Sequence, residues 1–321
     1  MAESMPVPAE APEPTLRGVM MGSDRTPLAF ARWEHPAPRG RVVISHGYGE
    51  HGERYAHTAR WLNQLGWSVS TMDHRGFGRS GGVRGDARGI RPLVEDLTHF
   101  LRQERMYDAG RAGRGEGGSV QPAPAFPQIL AGHSFGGLVA LLVLLWHPET
   151  LEGLVLTSPA VTLREIPLPM KILKQVLGWV APHRPLNLPG NKAEVCSDLL
   201  MVQQYQQDPH CHRFISAGLV AAMAEGRKEI LGFGAELDRP ILLLEAAADV
   251  VVDPDGSEAL WTTVRPGLLE RHRLEGFYHE VFHDRNRAQA ERLAALWLDR
   301  LFPPGEAIPA LQTGLFEQGT P

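Results

Sequence analysis

At 321 residues, 43% of them hydrophobic and 21% charged, the chain has the composition of an ordinary globular protein with room for a sizeable core. A net charge of −5 and the lack of a dense basic patch argue against nucleic acid as a partner. Two cysteines, Cys196 and Cys211, are too few for a disulfide framework and fit a reducing compartment.

Residues 1–15 are rich in Pro and Ala and lack the basic start and apolar core of a signal peptide, so they are expected to be disordered. No apolar run approaches the roughly 20 residues that span a bilayer, and a cytoplasmic protein is expected. Ser23-Asp24-Arg25 separates the first two strand candidates, with no room for a helix between them. That spacing predicts an antiparallel hairpin at one edge of a sheet. Strands are predicted at 28–33, 41–45, 68–72, 128–131, 153–157, 240–245 and 269–274. Helical patterns fall between most of them, at 53–65, 90–106, 134–147, 256–264 and 286–301. This alternation predicts an α/β fold, a mostly parallel central sheet flanked by helices.

Two segments break the rhythm. Residues 110–127, rich in Gly and Pro, read as a surface loop. Residues 161–237 carry helical pattern without a convincing strand. They are expected to form an inserted helical cap over the strand ends, where ligands bind in open α/β sheets. The expected division is a core of 16–160 and 238–302, the cap at 161–237, and a poorly ordered tail at 303–321.

Gly132-His133-Ser134-Phe135-Gly136 lies between the predicted strand at 128–131 and a long apolar helix. A serine on such a tight strand-to-helix turn is held in a strained conformation with its hydroxyl presented, and the glycines relieve contacts with neighbouring elements. The pattern recurs at Gly78-Arg79-Ser80-Gly81-Gly82, but in a loop with no strand before it and no helix after. Ser134 is therefore the expected nucleophile, and Ser80 reads as turn chemistry.

A serine hydroxyl needs a base to take its proton, and the base is best oriented by a buried carboxylate. Asp249 follows the strand at 240–245 and is the expected acid, with Asp253 as the alternative. Asp253 and Asp255 read better as caps for the helix that follows them. His279 lies past the last strand and is the expected base, with His283 as the fallback. His46-Gly47-Tyr48 ends an early strand, and the backbone N–H groups of Tyr48 and Phe135 are the expected oxyanion donors.

As a set, HGYGEHGERY at 46–55, DHRGFGRSGG at 73–82, GHSFGG at 132–137, LTSPA at 156–160, PILLLEAAADVVVD at 240–253 and EGFYHEVFHD at 275–284 resemble the α/β-hydrolase fold. Within it they are similar to the monoacylglycerol lipase and lysophospholipase family, in order and spacing, from about residue 28 to 301. The resemblance implies the same roles for Ser134, Asp249, His279, Tyr48 and Phe135. Ala246 stands where the family usually has glycine, the loop at 110–127 is longer than usual, and the cap is the least similar part.

The resemblance implies an ester of a single-chain lipid, a monoacylglycerol or lysophospholipid, as substrate. Other carboxylic esters are the alternative. The cap stretch IPLPMKILKQVLGWV at 166–180 is apolar, with Lys171 and Lys174 on a narrow polar face. The resemblance implies an acyl-chain tunnel or transient contact with a membrane surface there, although a stretch of this kind more often packs onto its own domain. No cofactor and no metal are expected. One rival chemistry is written in the same residues, since His279-Glu280-Val281-Phe282-His283 matches the zinc-peptidase pattern His-Glu-X-X-His. That reading needs a helix and a third ligand, and Gln289 stands where the long form has its third histidine. A binding protein without catalysis would not need Ser134, Asp249 and His279 together. Haloalkane dehalogenases and epoxide hydrolases carry aspartate at the place of Ser134.

Overall fold

The computed structural model describes residues 12–112, 126–164, 180–187 and 192–304. In chain order the strands are β1 (Leu16–Met21), β2 (Pro27–Trp33), β3 (Gly40–Ser45), β4 (Trp67–Met72), β5 (Gln128–His133), β6 (Gly153–Thr157), β7 (Leu186–Asn187), β8 (Phe214–Ile215), β9 (Ile241–Ala246) and β10 (Leu269–Leu274). The α-helices are α1 (Ala56–Gln64), α2 (Arg91–Ala112), α3 (Ser134–Trp146), α4 (Leu199–Gln207), α5 (Ala217–Ile230), α6 (Glu258–Trp261) and α7 (Arg287–Leu301). Eight strands form one sheet in the order β1-β2-β4-β3-β5-β6-β9-β10. From β4 to β10 every pairing is parallel, while β2 runs antiparallel to both β1 and β4, so the expected edge hairpin is present.

Parallel strands need helices on both faces, and their residues are apolar on both sides for that reason. Every residue of β3, β4, β6 and β9 is buried. One core joins the sheet to α2, α3 and α5, with Leu93, Leu97, Leu138, Leu142, Leu219 and Met223 among its members. A second core, on the other face, joins it to α1 and α7 through Ala59, Leu62, Ala294 and Trp297. α3 is apolar all round because it is enclosed all round, by the sheet, α2 and α5. Among the described residues no helix is long and apolar enough to cross a membrane.

Several boundaries differ from those expected. The helix expected at 53–65 opens as a 3-10 turn, Gly52–Tyr55, before α1 begins. α2 continues through Gly110 to Ala112, because the packed helix tolerates a glycine near its end. Residues 113–125, the remainder of the glycine-rich loop but for its last two positions, lie outside the described residues. The helix expected at 256–264 is a 3-10 turn, Asp255–Ser257, followed by the single turn of α6. Neither Asp253 nor Asp255 caps it, since no side chain bonds the exposed N–H groups there. Asp255 instead pairs with Arg273 at 2.6 Å.

The stretch at 161–237 also contains a small antiparallel pair, β7 with β8, which its helical pattern concealed. Two-residue strands are too short to show a period in sequence. Residues 165–179, including Lys171, Lys174 and nearly all of the apolar cap stretch, lie outside the described residues, as do 1–11 and 305–321.

What positions the site is the approach of α3 to the end of β3. A Cβ on Gly136 would lie 2.3 Å from the carbonyl oxygens of Ser45 and His46, and one on Gly132 would lie 2.7 Å from the Gly137 Cα. Only backbone fits between these segments. Gly136→Ala should therefore destabilise the fold by about 1–3 kcal/mol, the usual cost of overpacking a rigid contact. Urea unfolding measures this, and a neutral change would show that α3 can move off β3.

Candidate active site

Ser134 joins β5 to α3 with φ of 50°, one of three non-glycine residues with positive φ among those described. That left-handed turn costs roughly 1–2 kcal/mol for a residue with a side chain, and the close packing around it holds it in place. The strain is the local price of aiming the hydroxyl away from the helix. Ser134 Oγ stands 2.8 Å from Nε2 of His279.

His279 comes from the loop after β10, and Asp249 from the loop after β9. Asp249 Oδ2 is 2.7 Å from His279 Nδ1. Its Oδ1 accepts the N–H groups of Val251 and Val252 at 2.8 and 2.9 Å, which fixes the carboxylate plane. All three residues are buried. Burial alone would raise the Asp249 carboxyl, but the His279 hydrogen bond and charge, with the two backbone donors, outweigh it and hold it below the usual range. An ionised Asp249 can only accept, so Nδ1 of His279 carries a proton and Nε2 faces the serine hydroxyl.

The structure thus brings Ser134, His279 and Asp249 into one chain of hydrogen bonds. It does not bring Asp253 there, and Ser80 is tied elsewhere. Ser80 Oγ donates to the Asp73 carbonyl at 2.6 Å and accepts the Ala29 N–H at 2.9 Å, stapling the 73–82 loop to β2.

The loop after β3 has its own fixings. The His74 N–H donates to His46 Nε2 at 2.9 Å, so the His46 proton is on Nδ1 and donates to the Gly47 carbonyl at 2.8 Å. Burial lowers the pKa of His46 and keeps it neutral for this task. A trans peptide is planar, so anchoring the Gly47 carbonyl turns the Tyr48 N–H to the opposite side. The Gly47 N–H itself is taken by Glu50 Oε1 at 2.7 Å. Glu50 also accepts from Tyr55 Oη at 2.8 Å and pairs with Arg54. Arg54 reaches on to Glu280 Oε2 at 3.4 Å. One buried charge network therefore ties the Tyr48 loop to the residue beside His279. Phe135, following Ser134, lies in the first turn of α3, where N–H groups have no acceptor within the helix.

The zinc-peptidase pattern has a different fate. His279 leads into a 3-10 turn, Val281–His283, and not an α-helix. Both ring nitrogens of His279 are engaged with Asp249 and Ser134. His283 Nε2 donates to the Arg54 carbonyl at 3.3 Å, with its ring against Tyr55 and His57 at 4.8 and 5.0 Å. Glu280 is directed to Arg54. His279 thus faces Asp249 and Ser134, while Glu280 and His283 turn to the guanidinium and the carbonyl of Arg54, so the pattern's three polar residues do not converge on one point.

The described parts of 161–237 lie against these loops. The His212 N–H donates to the Gly49 carbonyl at 3.0 Å, and the Glu280 N–H to the Val195 carbonyl at 2.9 Å. Arg164 Nε donates to the Asp249 carbonyl at 2.8 Å.

The serine aminopeptidase S33 family (Hydrolase_4) matches residues 36–286. A monoacylglycerol lipase of Mycolicibacterium smegmatis is 32% identical over 250 residues, which is 77% of this chain and 83% of that protein. The crystal structure of Paleococcus ferrophilus monoacylglycerol lipase superposes with a TM-score of 0.71 at 27% identity, covering 84% of this chain and 98% of its own. A soluble variant of monoglyceride lipase from Saccharomyces cerevisiae, in complex with a substrate analog, shares the fold with a TM-score of 0.77 at 19% identity, over 92% of this chain and 98% of its own.

Neutral histidines around the site make stability depend on pH. Burial lowers His57 and His133 from 6.5 to about 4. Between those values the unfolded chain binds the protons that the folded chain refuses. Stability contributed by these groups is therefore full above 6.5, falls as pH drops, and levels off below about 4. The melting temperature should decline across that window, and His57→Gln should make the decline shallower. A melting temperature that is flat from neutral pH to about 4 would contradict the neutral burial of these rings.

Proposed function

The chain belongs to the serine aminopeptidase S33 family of α/β-hydrolases, and on that premise we propose a serine hydrolase that cleaves carboxylic esters of single-chain lipids, monoacylglycerols or lysophospholipids. The observation that carries the reading is the buried Ser134–His279–Asp249 chain, with gaps of 2.8 and 2.7 Å. The likeness to a monoacylglycerol lipase over 77% of the chain supports the ester class.

In this reading His279 Nε2 takes the Ser134 proton as Oγ attacks the ester carbonyl carbon. The carbonyl oxygen becomes an oxyanion and is met by the N–H groups of Tyr48 and Phe135, each aimed before the reaction begins. The imidazolium that forms is stabilised by Asp249, which stays ionised. It then gives its proton to the departing alcohol, glycerol or a glycerophosphate head, as the carbon–oxygen ester bond breaks. Water, deprotonated by the same histidine, attacks the acyl-enzyme and releases the fatty acid. Residues 161–237 serve as the cap over the strand ends and hold the acyl chain. A single-chain lipid is dispersed in micelles or membranes, so the reading extends to transient contact of the cap with such a surface.

Hydrolysis of a monoacylglycerol by the purified protein and its variants tests this. Ser134→Ala should abolish turnover in a folded protein, whereas Ser80→Ala should stay within a few-fold of the parent. Asp249→Asn should lower kcat by roughly three to four orders of magnitude, because the histidine loses the partner that fixes its tautomer. Asp253→Asn should cost far less, and the reverse ranking would move the acid to Asp253. Glu280→Gln should keep substantial activity. A folded but dead Glu280→Gln protein carrying stoichiometric zinc would overturn the serine mechanism in favour of the metal one.

A further inference from the structure

A second cluster of donor atoms plays no part in that chemistry. His51, Asp208 and Cys211 meet where the loop after β3 faces the end of α4, and one ligand atom from each lies within 4.8 Å of the others. His51 is buried and the other two are half-buried, so solvent reaches the group from one side.

The donors are already arranged. Asp208 terminates α4, with its Oδ2 2.7 Å from His51 Nε2 and its Oδ1 accepting the His210 N–H at 2.8 Å. The Cys211 N–H donates to the Asp208 carbonyl at 3.2 Å, so Asp208, His210 and Cys211 share one tight turn. The His210 ring stands edge-on to His51, with centroids 5.9 Å apart. His51 Nδ1 is buried without a hydrogen-bond partner, so the ring is held on its Nε2 side alone.

A thiol, an imidazole and one carboxylate form the donor set of zinc-class ions, whereas magnesium and calcium take oxygen ligands. In a tetrahedral shell with bonds of about 2.0–2.3 Å the donor atoms stand roughly 3.3–3.8 Å apart. Side-chain movements of about an ångström close the present group to that size. The Arg54 guanidinium also interacts electrostatically with Cys211. On metal binding the thiol proton leaves to solvent, and carboxylate and thiolate together balance a divalent charge.

We propose that His51, Asp208 and Cys211 form a binding site for a zinc-class divalent ion, with His210 or water as the fourth ligand. The ion would tie residues 208–212 to the loop after β3 that carries Tyr48. That strap is already laid along the loop, with the His212 N–H on the Gly49 carbonyl at 3.0 Å, and its His212 ring stacks on Phe77 of the loop after β4 at 5.1 Å. An occupied site makes the junction a fixed crosslink between the 161–237 segment and the core.

Cobalt titration of the full-length protein tests the site directly, because a cobalt–thiolate bond gives a near-ultraviolet charge-transfer band and tetrahedral cobalt gives intense visible bands. One equivalent should bind with both signals, raise the melting temperature and be displaced by zinc. Cys211→Ser should remove the charge-transfer band and weaken binding about tenfold or more, and Asp208→Asn should weaken it comparably while keeping the band. Circular dichroism establishes that both variants fold. Ser134→Ala should bind cobalt like the parent, which separates this site from the hydrolase reading. Cobalt uptake that Cys211→Ser leaves unchanged, purely octahedral spectra, or no uptake at all would overturn the proposal.

Discussion

Gly136 sits where the first turn of α3 touches the last residues of β3, with room for backbone alone. That contact sets the height of Ser134 above the sheet and, with it, the reach of every other group. Ser134 takes φ of 50° because β5 must end and α3 must begin within a single residue. Ser45 reinforces the junction by donating from Oγ to the Gly136 carbonyl at 3.1 Å. A strained serine survives there because well-packed apolar residues on α3 and its neighbours hold the helix down. Loops after β9 and β10 then need only modest lengths to bring Asp249 and His279 to the hydroxyl.

The site is buried, and its charges are arranged to make burial tolerable. The Asp249 carboxylate stays ionised, with hydrogen bonds on both oxygens in place of water. Glu50, Arg54 and Glu280 compensate one another beneath the Tyr48 loop. Burial holds Glu50 upward, yet the Arg54 charge prevails and keeps it ionised. His46, His74, His133 and His283 are all pushed below their ordinary values by burial and remain neutral, acting as hydrogen-bonding plates rather than charges. Breaking one member of such a network leaves its partners unsatisfied in low dielectric, which is why the fixings matter more than their number.

Much of this was legible in the chain. The strand-then-glycine-then-apolar-helix pattern around Ser134 distinguishes it from Ser80, and the order serine, acid, histidine follows from strand ends that all point one way. Other features depend on pairs far apart in sequence, which no local period records. Arg54 and Glu280 are separated by 226 positions, and Glu50 shows its role only once Gly47 folds back on it. The β7–β8 pair is too short to announce itself, and α2 overruns Gly110 because its packing outweighs glycine's poor helix propensity. Asp253 and Asp255 precede a helix in the manner of caps, yet the helix is a single turn and Asp255 faces Arg273 instead. Asp249 is singled out by its place in the chain, since it follows the strand at 240–245 more closely than Asp253 does.

The central claim is that Ser134, and no other residue, is made nucleophilic by its setting. Reaction of the native protein with a fluorophosphonate, followed by peptide mass spectrometry, tests that without any assumption about the substrate. The account requires a single phosphonyl adduct on the peptide containing Ser134, with none formed when the protein is unfolded before the reaction and none in His279→Ala. An adduct that persists in Ser134→Ala, or one that maps to Ser80, would contradict it.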